Sequence, residues 1–228
     1  MNEENIKPHY LNHRQRLKNK FANSAISLAD YEIIELLLGY AIPRRDVKPL
    51  AKELLSRFHS IQGILNAEIA ELKSVKGIGE HVAILILLLK ELTIRGEEAK
   101  LKMKEKINSP TDVLDFANAK LAGMKSEVMM VIFVNARNGV EHSEIIQKGT
   151  INKAVVFPRE IIKLALEKNA TGVIMIHNHP SGEPEPSAQD IRITGIIQKA
   201  LSSVEITFLD HLIIGSNGYF SFQESELL

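Results

Sequence analysis

Between Leu28 and Ile94 the apolar positions recur at helical spacing, as in Ile33, Ile34, Leu36, Leu37 and Leu38 and again in Leu50, Leu54, Leu55 and Phe58. That spacing lines one side of successive helices. Boundaries fall in the same stretch: Pro43 ends one segment, Asp46 is placed to cap the next, and Asn66 stands where a cap for Ala67 to Leu72 is expected. Residues 97–108 are dense in charge and poor in core-forming side chains, which predicts a linker. The chain therefore divides into an all-helical domain over 1–96, the linker over 97–108, and a second domain over 109–228.

Beyond the linker the pattern alternates between strands and helices. Ser109-Pro110 supplies a cap and a first-turn proline for a short helix. Val128 to Asn135 is a nearly continuous apolar run, and the turn Arg137-Asn138-Gly139 followed by Val140 to Lys148 predicts a β-hairpin. Pro158 to Lys168 reads as an amphipathic helix and Thr171 to Ile176 as a strand buried in a sheet. A helix over Ser187 to Leu201 and three closing strands, at Ile206 to Leu209, His211 to Ile214 and Gly218 to Phe222, complete an α/β (α+β) domain with a mixed sheet.

Composition narrows the chemistry. The chain has 228 residues, 45% of them hydrophobic, and no cysteine. Disulfides and cysteine metal clusters are thus excluded, and any metal must sit on His, Asp or Glu. The first residues, Met1 to Asn5, lack a secretory layout, and the longest apolar run, Val82 to Leu89, is too short to span a bilayer. The expectation is a soluble, cytoplasmic protein with no membrane partner. Basic and acidic residues balance at 28 each, so nothing global points to nucleic acid. The N-terminal part carries a small basic excess that favours polyanions only weakly.

The strand ending at Ile176 empties into His177-Asn178-His179-Pro180-Ser181-Gly182, and Ser187-Ala188-Gln189-Asp190 follows. Residues i and i+2 of an extended segment point to the same side, so both imidazoles can face one ion. Asp190 falls in the first turn of the next helix and can supply a third ligand, leaving a fourth position for water on a catalytic Zn²⁺. Ser187-x-x-Asp190 is also a capping box, which accounts for both residues without a metal, and the two uses are compatible. His and carboxylate suit Mn²⁺, Fe²⁺ or Ni²⁺ as well as zinc.

The string His-x-His-x7-Ser-x-x-Asp is similar to the signature of JAMM (MPN-type) metalloproteases, and the fuller text from His177 to Asp190 resembles the RadC family. The likeness extends along the chain through Leu37 to Arg44, Gly77-Ile78-Gly79, Lys148-Gly149-Thr150, Phe157 to Glu160 and Leu209-Asp210-His211. It implies a cytidine-deaminase-like fold for the second domain, with Zn²⁺ on His177, His179 and Asp190. It also implies an upstream glutamate as general acid/base, which Glu144 matches, with Glu141 as competitor. A carboxylate beside Ile145 and Ile146 in a buried-looking strand needs a partner. Ser187 takes the family's role of donor to the tetrahedral oxyanion. The expected activity is hydrolysis of peptide or isopeptide bonds in a peptide or protein substrate.

Leu72-x-x-Val75-Lys76-Gly77-Ile78-Gly79-x-x-x-Ala83 looks like a helix-hairpin-helix. Its glycines permit a tight turn and close approach of backbone amides to a phosphate. Lys76, Arg44 and Arg45 would form the basic face of a weak, non-specific DNA contact, and protein interaction is the rival use. A DNA-associated repair or replication-restart accessory factor with a structural or vestigial metal site is the alternative function. The sequence sets no oligomeric state.

Overall fold

The computed structural model describes residues 9–148 and 158–228. The expectations placed on Met1 to Asn5 and on the text at Gly149, Thr150 and Phe157 lie outside these residues. The chain divides into two compact units, with the boundary at Glu91 and Leu92. No helix among the described residues is long and apolar enough to cross a membrane.

The first unit is helical: α1 His9–Asn23, α2 Asp30–Ala41, α3 Lys48–Phe58, α4 Ile61–Asn66, α5 Ile69–Lys73, and the start of α6 Glu80–Met103. Its core is the apolar stripe of the sequence, with Ile34, Leu38, Leu50, Leu54, Ile64, Leu72 and Ile86 packed together. The Asp46 carboxylate accepts the Lys48 N–H at 3.0 Å, but the residue that leads into α3 is Val47. Asn66 does not cap anything ahead of it. It closes α4, and the chain re-enters a helix at Ile69, where the Glu71 carboxylate accepts the Glu68 N–H.

The expected linker is a correction. Residues 97–103 continue α6 without a break. Their charges pair along the helix, Lys100 with Glu97 and Lys102 with Glu98, and Leu101 is buried in the second unit's core. Glu, Ala, Lys, Leu and Met are strong helix formers, so a charge-dense segment here is a solvated helix face.

The second unit is a five-stranded mixed sheet ordered β2-β1-β3-β4-β5. Its strands are β1 Val128–Val134, β2 Val140–Lys148, β3 Gly172–Asn178, β4 Thr207–Gly215 and β5 Gly218–Ser221. β1 is antiparallel to both β2 and β3, β3 is parallel to β4, and β5 returns antiparallel. α7 Thr111–Leu121 covers one face, packing on Met130, Ile132, Ile174, Ile176 and Leu212. α8 Pro158–Glu167 and α9 Ala188–Ser202 cover the other, over Met129, Val131, Phe133, Val173 and Met175. Every residue of β1 and β3 is buried.

Two local expectations change. α7 starts from Pro110 with no side-chain cap, and the Asp112 carboxylate in its first turn accepts the N–H groups of Asn108 and Ser109 ahead of the helix. The three closing strands are two, because β4 runs straight through Asp210. That carboxylate is kept inside the sheet by Ser221 Oγ and the N–H groups of Gln223 and His211.

Candidate metal centre

The alternation of β3 decides which way each residue of the motif faces. Val173 and Met175 point toward α8 and α9, so His177 does too, and α9 brings Asp190 to meet it. The chain turns sharply after His179, whose N–H donates to the Ile214 carbonyl at 2.8 Å. Gly182 sits at φ +93°, and a Cβ on Gly215 would meet the Gly182 carbonyl oxygen at 2.1 Å. The two glycines let this loop press against the β4–β5 turn, which fixes where His179 stands.

The donor atoms of His177, His179 and Asp190 all lie within 4.8 Å of one another. His177 Nε2 is 3.0 Å from His179 Nε2 and 3.4 Å from Asp190 Oδ1, and His179 Nε2 is 3.5 Å from Asp190 Oδ2. Donors roughly 2.1 Å from one ion at tetrahedral angles stand about 3.4 Å apart, close to the spacing of each imidazole from its nearer Asp190 oxygen. His179 donates from Nδ1 to the Glu183 carbonyl at 2.8 Å, which leaves the Nε2 lone pair turned inward. His177 and Asp190 are almost wholly buried, whereas the His179 side chain is 13% exposed. The residues fit a divalent cation with access from one side.

Ser187 and Asp190 also form the capping box. The Ser187 N–H and hydroxyl both donate to Asp190 Oδ2, at 2.8 and 2.6 Å, and the Asp190 N–H donates back to Ser187 Oγ at 3.2 Å. Oδ1 takes neither bond and faces His177. Capping and ligand geometry therefore share this carboxylate, since Oδ2 takes the capping bonds and also lies 3.5 Å from His179 Nε2.

Burial pushes the imidazole of His177 down from 6.5 to about 4, against the pull of Asp190, and His211 behind it lies well below the ordinary range for the same reason. Both groups are neutral when folded and protonate more readily when unfolded. Their stability is therefore complete above about pH 6.5 and is lost as the pH falls toward 4. For His177 the loss is on the order of 3 kcal/mol. Denaturant titrations of metal-free protein between about pH 7 and about pH 4.5 should show the midpoint falling; an unmoved midpoint would contradict the buried neutral pair.

A cleft of about 740 Å³ opens over the cluster, lined by Lys125, Ser126, Glu127, His179, Ser187 and Asp190 among others. The volume is within the range of ligand-binding clefts. The sequence reading missed Glu127. Met129 pairs with His177 across β1 and β3, and Glu127, just ahead of β1, lines the same cleft as His179. Asn178 holds it there: its Oδ1 accepts the Val128 N–H at 2.8 Å and its Nδ2 donates to the Ser126 carbonyl at 3.2 Å. The spacer of His-Asn-His is thus a clamp between the ligand strand and the segment bearing Glu127.

The structure does not bring Glu144 to the cluster. It lies on β2 opposite Val131, at the level of Met175, one strand beyond β1 and two residues back from His177. Its carboxylate pairs with His142 at 3.3 Å and its side chain is 43% exposed. Glu141 instead accepts from the Asn135 side-chain amide at 2.5 Å.

In the first unit the turn between α5 and α6 places Gly77 at φ +104°, and the Arg45 guanidinium lies 2.8 Å from where a Cβ would be. Arg44, Arg45, Lys76 and Gly79 are exposed. A Cβ on Gly79 would meet nothing within 4 Å, so the turn requires only the first glycine. Ala83 is fully buried in the packing of α6.

Residues 107–227 match the family model described as RadC-like JAB domain, and residues 10–84 match the one described as UPF0758 N-terminal.

Proposed function

Because the chain belongs to the RadC-like JAB-domain family, we propose that its second unit is a metal-dependent hydrolase of peptide or isopeptide bonds with a cytidine-deaminase-like fold. The observation that carries this reading is the convergence of three inward-facing donors with a fourth ionisable group, Glu127, on the wall of one open cleft. A divalent ion on His177, His179 and Asp190, zinc in this reading, would supply Lewis acidity and lower the pKa of the attacking water. Glu127 accepts the proton of that water and delivers it to the leaving amine. In this reading the base is Glu127, on the wall of the cleft that His179 lines, and not Glu144. Ser187 turns its hydroxyl from Asp190 Oδ2 to the carbonyl oxygen as charge develops there.

The test is metal removal. Protein stripped by chelator and reloaded with Zn²⁺ should cleave members of a peptide and isopeptide library only when reloaded. Equal cleavage in both states, or none in either with zinc bound, would sink the reading.

A second reading concerns the first unit. Arg45 lying on the Gly77 turn beside Lys76 favours a helix-hairpin-helix contact to DNA backbone. Such binding depends steeply on salt, so fluorescence anisotropy with duplex DNA at two salt concentrations decides it.

A further inference from the structure

A line of hydrogen bonds leads from the ligand cluster into the core through side chains that the reaction above does not use. His177 Nδ1 meets His211 Nε2 at 2.8 Å, His211 Nδ1 meets Thr194 Oγ1 at 2.6 Å, and the Thr194 hydroxyl donates to the Asp190 carbonyl oxygen at 2.6 Å. His177 and His211 are fully buried and Thr194 is 2% exposed. Phe222 stacks on the His211 ring and holds its plane.

Along this line each proton follows from the far end, and at the near end the Nε2 atoms of His177 and His179 face each other at 3.0 Å as two ligands of one ion do. A carbonyl oxygen only accepts, so Thr194 spends its one hydroxyl proton on Asp190. Its oxygen is then an acceptor for His211, which must carry a proton on Nδ1. A buried, neutral ring protonated there has its lone pair on Nε2. That lone pair requires His177 to donate from Nδ1, and the lone pair of His177 is left on Nε2, facing His179 and Asp190.

We propose that Thr194 and His211 are positioning residues that set the tautomer of His177, so that its Nε2 lone pair faces the cation position before an ion arrives. The line returns to its origin, since Asp190 supplies both a ligand and the carbonyl that anchors it. Burial alone does not account for the hydroxyl: α9 turns Ile197 and Leu201 to the same core, and valine has the shape of threonine without the oxygen.

The proposal rests on the reading that the cluster binds a cation, and two measurements keep them apart. In metal-free wild-type protein with ¹⁵N-labelled histidine, long-range ¹H–¹⁵N spectra should show His177 and His211 both protonated on Nδ1. A proton on Nε2 of either ring overturns the proposal, whatever the metal does. Zn²⁺ affinity, read by competition with a chromophoric chelator, should fall about 10- to 100-fold in Thr194→Val, as for other outer partners of metal ligands, and stay at the wild-type value in Thr194→Ser. Equal affinity in the valine variant, or an equal loss in the serine variant, also overturns it. Should Thr194→Val fail to fold, the wild-type spectra still decide. Wild-type protein that takes up no zinc sinks the hydrolase reading alone.

Discussion

Glu127→Gln should lower hydrolysis about 100-fold or more while the protein keeps its full complement of zinc. Glutamine has the shape of glutamate and can still fill the cleft wall beside His179, but it cannot take a proton from water. None of the three donors changes, so the metal content should not. The paired control is Glu144→Gln, which removes a half-exposed carboxylate bonded to His142 on the edge strand and should change turnover little. Metal analysis and kcat on both variants, with a substrate found in the metal-removal screen, separate the two carboxylates. Undiminished turnover in Glu127→Gln, or a collapse in Glu144→Gln, would return the base to β2.

His177→Ala should remove stoichiometric metal binding. Zinc held by a complete protein site is worth about 10–16 kcal/mol, so one of three protein donors carries roughly 3 kcal/mol or more, a hundredfold or greater in Kd. The buried position adds to this, because the variant also leaves His211 Nε2 without the partner it has at 2.8 Å. An unpaired buried polar group costs about 1–3 kcal/mol, so the metal-free variant should unfold at lower denaturant than wild type. His179→Ala, at the exposed side of the cluster, should lose metal with a smaller fall in stability. Chelator competition and denaturant titration on the two variants check both statements. Retention of zinc by His177→Ala would mean that the ion sits elsewhere.

The convergence of His177, His179 and Asp190 was legible because its geometry is local. Strand alternation aligns His177 with His179, and a capping box sets Asp190 on the first turn of α9, whatever surrounds them. The approach of Glu127 to the cleft was not legible, because it depends on pairing between strands far apart in sequence. Glu144 and Glu127 both flank apolar runs; only the pairing of β1 with β3 brings Glu127 to the cleft that His179 and Asp190 also line. A usable signal was its position at the mouth of β1, since a charged residue opening a wholly buried strand must lie at the sheet's rim. Thr194 left a fainter trace, a hydroxyl on the apolar side of a helix. The linker over 97–108 failed for another reason: charge density marks a solvated surface, and the i, i+3 and i, i+4 pairing of Glu97, Glu98, Lys100 and Lys102 marks that surface as helical.

The three ligands also differ from the groups around them in chain distance. His177, His179 and Asp190 lie within one β3–turn–α9 segment, and closing so short a loop costs little chain entropy. Glu127, the Asn178 bonds to its neighbours, and His211 join that segment only once β1 and β4 have docked on either side of β3. The same ion can thus be gathered by a nascent hairpin-sized piece of chain, while chemistry must wait for the sheet. The donor set is a local feature of the chain, while the cleft around it exists only in the assembled sheet.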